Sequence, residues 1–385
     1  MNRSLLWLGV ALFTWGIGEA MFVVFQPIYL QQLGANPLAI GGILGAAGLV
    51  MTLVHIPSGH LADRWGRKPM LVTAWLIGVC SGFAMALADN LTVFIIGVLM
   101  YAFTAFVISP LDSYLTAARG NWSVARAITF SGICFNAGAV IGPFAGGWIG
   151  DQYGLRAAYF VVAGIFVVST IFIFLIESQP RDHHDPADPP AGLMTNWRLL
   201  GFLSIYFFVA LFTFLPQPLT PNFLENERGL SLTQIGALGS IGGIGNTVFN
   251  FLLGMLEARA GFLLGQLGVM VYAALLWKGT GFGWFAIAYF LLGGFRVLRS
   301  LGAALVRPFV HESQMGLAYG IAETVGSATA LLAPPIAGYL YSRNPFSVYP
   351  IGLVLIAVGL IVSLIFVPRS KRHPPEHIEL THEPS

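Results

Sequence analysis

Four ionisable side chains, Glu19, Arg296, Arg299 and Glu323, stand inside long apolar runs of this sequence. At the centre of a bilayer each would cost about 2.5–3.5 kcal/mol, so each needs a partner or a task. Glu19 lies mid-run in Trp15-Gly-Ile-Gly-Glu19-Ala-Met-Phe22, and helical spacing puts Trp15, Glu19, Phe22 and Gln26 on one face. A carboxyl group there can take up a proton on one side of a membrane and release it on the other. Arg296 and Arg299 are three residues apart on one helix face. At about 1.5 Å per residue, Arg299 and Glu323 fall at matching depths from one membrane surface, which predicts an ion pair between them. Arg296 is then left nearer the centre, where it can anchor an anionic group or act as the counter-charge of Glu19.

The elements that position these residues are membrane helices. The chain has 385 residues, 56% hydrophobic and only 9% charged, with a net charge of +2. A water-soluble fold of that composition could not cover its surface, and a phosphate-matching basic face for nucleic acid is excluded. A spanning helix needs roughly 20 apolar residues, and twelve such stretches are present, with cores near 5–30, 38–58, 70–88, 92–115, 127–149, 156–176, 199–224, 232–254, 262–277, 281–306, 316–341 and 347–367. The expected fold is all-α and polytopic, with two six-helix bundles at 1–176 and 197–367, a polar linker at 177–196 and a polar tail at 368–385. Thirteen Lys and Arg residues fall on the side of both termini and four on the other, which sets termini and linker in the cytoplasm. The first apolar run is too long for a signal-peptide core and reads as a retained span.

The halves repeat. A shift of 195 residues superposes Ile40 and Gly41 on Ile235 and Gly236, Gly48 on Gly243, Gly59 on Gly254, Arg64 on Arg259 and Gly66 on Gly261. A shift of 191 places Pro143 on Pro334 and Gly147 on Gly338. A duplicated parallel repeat explains both.

Between spans two and three stands Gly59-His-Leu61-Ala-Asp63-Arg64-Trp-Gly66-Arg67-Lys68-Pro69. Its glycines allow close helix contact and a tight reversal, and its cations hold it at the inner interface. This segment resembles the signature loop of the major facilitator superfamily (MFS), and with twelve spans and a central linker the resemblance extends over essentially the whole chain. It implies a conformational latch in which Asp63 caps the start of span eleven near Gly316 and Arg67 pairs with Asp112 on span four. The second copy carries Ala258 where the acid would stand, so the latch is expected to be one-sided. In span five, Gly138, Gly142, Pro143, Gly146 and Gly147 let a neighbouring backbone approach. The same pattern resembles the span-five signature of the drug/proton antiporter branch. By that analogy Trp15, Phe22, Gln26, Tyr101, Thr104, Tyr206, Phe207, Phe214, Gln217 and Arg296 are expected to line the cavity.

The expected function is secondary active transport by alternating access, namely proton-coupled, multidrug-type efflux of a small lipophilic or cationic compound. The alternatives are a symporter or uniporter for a sugar, amino acid or organic anion, or a lipid transporter. An enzyme is not expected, because no folded polar domain is available and no nucleophile converges with a base. No cofactor is expected and no nucleotide-binding loop is present. The partners are the substrate, protons and the bilayer, and the chain is expected to act as a monomer in a cell membrane, the inner one if bacterial. Cys80 and Cys134 read as packing residues, as do His55 and its repeat counterpart Asn250, and Asp182-His183-His184-Asp185 reads as a solvated run rather than a metal site.

Overall fold

A computed structural model of the chain describes residues 3–179, 196–310 and 315–367, without the side chains of 55–64, 125 and 315–317. Most of the linker and its Asp182–Asp185 cluster, the tail, the side chains of His55, Asp63 and Arg64 and the surroundings of Gly59 and Gly316 lie outside what is described. Among those described there is no strand.

In the first half, α1 (Arg3–Val23) continues into α2 (Gln26–Gln32), followed by α3 (Pro37–Trp65), α4 (Arg67–Leu87), α5 (Leu91–Phe103), α6 (Ile108–Ala118), α7 (Val124–Tyr153) and α8 (Leu155–Phe174). A 3-10 turn at Thr104–Val107 joins α5 to α6 within one span. The second half has α9 (Trp197–Phe214), α10 (Thr220–Asn226), α11 (Leu232–Gly254), α12 (Ala258–Lys278), α13 (Phe282–Leu292), α14 (Gly294–Ala304), α15 (Met315–Arg343) and α16 (Val348–Phe366). Among the described residues eleven segments are long and apolar enough to cross a bilayer, and α15, packed along α3, is the twelfth span. The loop expected at Gly59–Trp65 is instead the last part of α3, and the reversal falls at Gly66, whose φ of +92° suits only glycine.

The duplication is visible in the caps and contacts. Asn36 accepts from the Ala39 N–H and its counterpart Ser231 from the Gln234 N–H, so α3 and α11 begin at the same register. The halves meet along two seams, α3 with α15 and α7 with α11. A Cβ at Gly41 would meet the Pro334 carbonyl, and one at Gly236 would meet that of Pro143. Likewise Gly338 lies on the Pro37 carbonyl and Gly147 on that of Leu232. The shifts read from sequence thus relate one seam to the other, contact by contact.

Both seams are tight at the membrane face away from the termini, here called the distal face. Toward the terminal face they part: Gly132 on α7, Gly254 on α11 and Gly320 on α15 have nothing within reach of an added Cβ. The closely packed ends of both seams are therefore the distal ones.

Candidate functional site

Glu19 is half-buried on α1 and held by unusually close packing behind it. Gly138, Gly142 and Gly146 on α7 lie against the α1 backbone at Phe13, Ile17 and Met21, where any larger residue would push α1 away. Gly16 on α1 meets the Phe135 carbonyl in return. The span-five glycines thus seat the helix that carries the acid, while Pro143 and Gly147 face α11 across the seam.

Two cavities meet at Glu19. One, of about 340 Å3 and within the first half, is bounded by Trp15, Trp75, Tyr101, Thr104, Leu111 and Phe135. The Glu19 carboxyl faces the Tyr101 hydroxyl and the Trp15 indole N–H. Trp15 stacks on Phe166 with centroids 4.2 Å apart and Tyr101 stacks behind it. Trp75 is fixed by its N–H donating to Ser169 Oγ at 2.8 Å, so the aromatic wall is rigid. Thr104 turns its hydroxyl to the Tyr101 carbonyl at 2.6 Å, which leaves its methyl for the cavity.

The other cavity, about 240 Å3, lies between the halves and is bounded by Glu19, Asn136, Gln217, Asn246, Tyr289 and Arg296. Glu19 is the charged residue common to both linings, and Arg296 is the second charge of the inter-half cavity. Asn250 donates to Asn246 Oδ1 at 2.8 Å, and Asn246 Nδ2 points to Asn136 Oδ1 at 3.4 Å, an amide chain that crosses from α11 to α7. Arg299 stands 3.3 Å from Glu323 and 3.2 Å from Ser327 Oγ, the depth match expected from residue counting. Among the described residues the Arg296 guanidinium has no hydrogen bond or ion pair, and it is exposed to the cavity.

The remaining expected residues are placed differently. Phe22 is 1% exposed and packs edge-on to Tyr101, behind the aromatic cavity rather than in it. Gln26 is buried where α2 begins. Tyr206 is fully buried against Gly302 and Gly326 and donates to the Arg299 carbonyl at 3.3 Å, supporting the ion pair from below. Phe207 packs on the lipid-facing Phe208. Each shares a span with a lining residue, Glu19 or Gln217, yet a neighbouring helix covers it or its face turns to lipid. Phe214 stacks on Phe295, a wall residue of the inter-half cavity. At the terminal face Arg67 donates to Ser113 Oγ at 2.7 Å, one residue beyond the exposed Asp112.

Sequence reasoning passed over Asn136, Asn246, Tyr289 and Trp75, although two asparagines in facing apolar runs were a usable signal. It also passed over Asp151 at the end of α7, which accepts from the backbone N–H groups of Leu232 at 3.0 Å and Thr233 at 2.7 Å. That acid spans the two halves. Nearby, Gln31 Oε1 accepts from Asn222 at 2.6 Å and Asn226 at 3.0 Å, also across the halves. Glu225 on α10 faces Asp151; burial first, and then the Asp151 charge, raise its carboxyl above the usual carboxylate range.

Comparison with known proteins agrees with this architecture. The family model for the Major Facilitator Superfamily matches residues 7–216 and 202–384. The class E tetracycline resistance protein of Escherichia coli is 25% identical over 97% of this chain and 98% of its own. The multidrug resistance protein MdtG of Citrobacter koseri is 31% identical over 46% of each chain. Among solved structures, a mutant of the nucleoside transporter NupG superposes with a TM-score of 0.80 at 14% identity, covering 94% of this chain and 98% of that one.

Proposed function

Because the chain belongs to the major facilitator superfamily, we propose that it is a secondary active transporter that exchanges protons for a small lipophilic or cationic compound, drug-type, in the direction of efflux. The observation that carries this reading is the position of Glu19, the acid at the junction of an aromatic and a polar cavity. The Trp15, Trp75 and Tyr101 wall offers flat apolar surface to a lipophilic body, and Glu19 offers a carboxyl that can hold either a proton or a cationic group. Loss of the proton on the terminal side favours loading, and its return from the distal side favours release. The two multidrug and tetracycline resistance relatives support outward transport. On the basic-residue bias, both termini sit in the cytoplasm of a cell with this protein in its plasma membrane.

Arg296 favours a second reading, transport of an organic anion. Its guanidinium is exposed to the cavity, feels the Glu19 charge and makes no hydrogen bond or close ion pair among the described residues, while Arg299, three positions on, is engaged. A planar fork of donors so placed suits a carboxylate or sulfonate. One assay separates the two. In proteoliposomes with an imposed pH gradient, Glu19→Gln is expected to abolish gradient-driven export of lipophilic compounds while Arg296→Ala retains it. Loss of anion binding alone in Arg296→Ala establishes the second reading, and unchanged export in Glu19→Gln removes that residue from the mechanism.

A further inference from the structure

The two seams that close the distal face carry the same glycine and carbonyl contacts, but one has an added bond. Asp151 belongs to the last turn of α7, in the first half, and its two carboxylate oxygens each take one backbone N–H at the start of α11, in the second half. Those N–H groups are among the four that an α-helix leaves without intrahelical partners. They sit at the positive end of the helix dipole, where a carboxylate is favoured. α11 is already capped from within its own half by a reciprocal box of Ser231 and Gln234. Asp151 is therefore not needed to start the helix, and its bonds act between the halves.

Both bonds must break when the distal ends of α7 and α11 separate. Gly147 lies on the Leu232 carbonyl and Gly150 against the Leu232 side chain, so the carboxylate and the packed seam come apart together. We propose that Asp151 is a distal latch, an acid of one half that grips the helix start of the other and biases the transporter toward the state open at the terminal face. It rests on the alternating-access reading but not on any substrate or coupling ion. The sequence resemblance implies a latch of the same kind at the terminal face, Asp63 on the start of α15. The fold would then carry one acid-to-helix clasp for each end of its cycle.

Hydrogen exchange of the full chain in lipid nanodiscs, without substrate, tests this directly. In Asp151→Asn, which keeps the shape and loses the charge, amides of 234–243 are expected to exchange about tenfold faster, as for loss of a charged cap of ordinary strength. A latch predicts equal acceleration at 38–48 in the other seam, which Asp151 does not touch, and slower exchange at 128–133 as the terminal face closes. Acceleration confined to 234–237, or none, overturns the proposal and leaves Asp151 a local cap. Should Asp151→Asn fail to fold, Leu232→Pro serves the same purpose, because proline is tolerated at a first helical position and removes one of the two donors. The same spread to 38–48, about threefold, is expected there, and its absence counts against the latch. Because no transport is measured, a failed efflux assay leaves this result standing.

Discussion

The α3/α15 seam and the α7/α11 seam are built from corresponding residues yet closed by different chemistry. Gly41 on Pro334 corresponds to Gly236 on Pro143, and Gly338 on Pro37 to Gly147 on Leu232. Where the α7/α11 seam adds Asp151, the α3/α15 seam has Ser342, whose hydroxyl turns back to the Tyr339 carbonyl of its own helix. The donor side differs as well: the counterpart of Leu232 is Pro37, which has no N–H to give. An acid at 342 would find one donor instead of two. Shape complementarity is thus shared by the distal ends of both seams, and among the described residues the acid-to-helix bond is found at the α7/α11 end.

A second asymmetry runs behind the seams. Gly138, Gly142 and Gly146, which bring α7 onto α1, correspond under the 191-residue shift to Thr329, Ala333 and Ala337 on α15. The first half therefore packs α1 closely against its seam helix α7, and the corresponding pair of the second half, α9 and α15, lacks those three glycines. Glu19 rides on the closely packed pair. A change at the α7/α11 seam reaches the acid through the α7 backbone and reaches Arg296 through α11, where Gly245 lies on the Phe290 carbonyl and Gly293 on the Gly245–Asn246 backbone.

The largest effect is expected from filling the shared contacts. Gly41→Leu and Gly236→Leu each place a side chain where a carbonyl stands, and overpacking of this kind costs about 1–3 kcal/mol or more. Either should block distal closure and lower transport about tenfold. If the seams are equivalent in shape, the two variants should match within a factor of about two; transport lost in one and kept in the other would break the correspondence. Hydrogen exchange at 38–48 and 234–243 in both variants shows whether the loss comes from an open distal face.

Copying the latch gives a smaller effect. Ser342→Asp together with Pro37→Ala supplies both the acid and the missing donor, which should slow exchange across the distal face about threefold to tenfold, as a second charged cap would. Ser342→Asp alone should recover less than half of that. A double variant no more protected than the single would mean that α15 does not carry its last turn as α7 does.

Much of this was legible before the structure. Apolar runs gave the spans, because every backbone polar group in lipid must be satisfied within its own helix. The two shifts gave the seams, since duplicated halves reuse their contacts. Glu19 and Arg296 were recognisable as cavity residues from the energy of a charge at that depth, and their linings meet at one site. The misplaced residues share a physical reason. Helix phase names a face about 100° wide, and only packing decides whether a neighbour covers it, as α8 through Phe166 covers Phe22, or lipid does, as beside Phe207. Asp151 escaped notice because an acid at a helix end reads as an ordinary surface charge. Its partners are the backbone N–H groups of Leu232 and Thr233 together with the Ser231 and Thr233 hydroxyls, all about 80 residues away in the other half, where no local side-chain pattern points to them.

The smallest effect expected concerns the pseudo-twofold axis itself. Gln31 and Asn226 occupy corresponding positions under the 195-residue shift and bond to each other, Asn226 Nδ2 to Gln31 Oε1 at 3.0 Å and Gln31 Nε2 to Asn226 Oδ1 at 3.3 Å. Asn222 corresponds to Pro27 and reaches its carbonyl at 3.0 Å. Side chains that bond their own repeat counterparts must lie on the axis, so exchanging them should preserve the contact. Gln31→Asn with Asn226→Gln is expected to keep distal protection within about twofold of the parent. Gln31→Asn alone shortens the reach and leaves the buried Asn222 amide and the exposed Asn226 amide less well paired, at about 0.5–1.5 kcal/mol for each hydrogen bond weakened. A double variant as exposed to exchange as the single one would show that Asn222, which has no side-chain donor opposite it on Pro27, already fixes the direction in which the axis is closed.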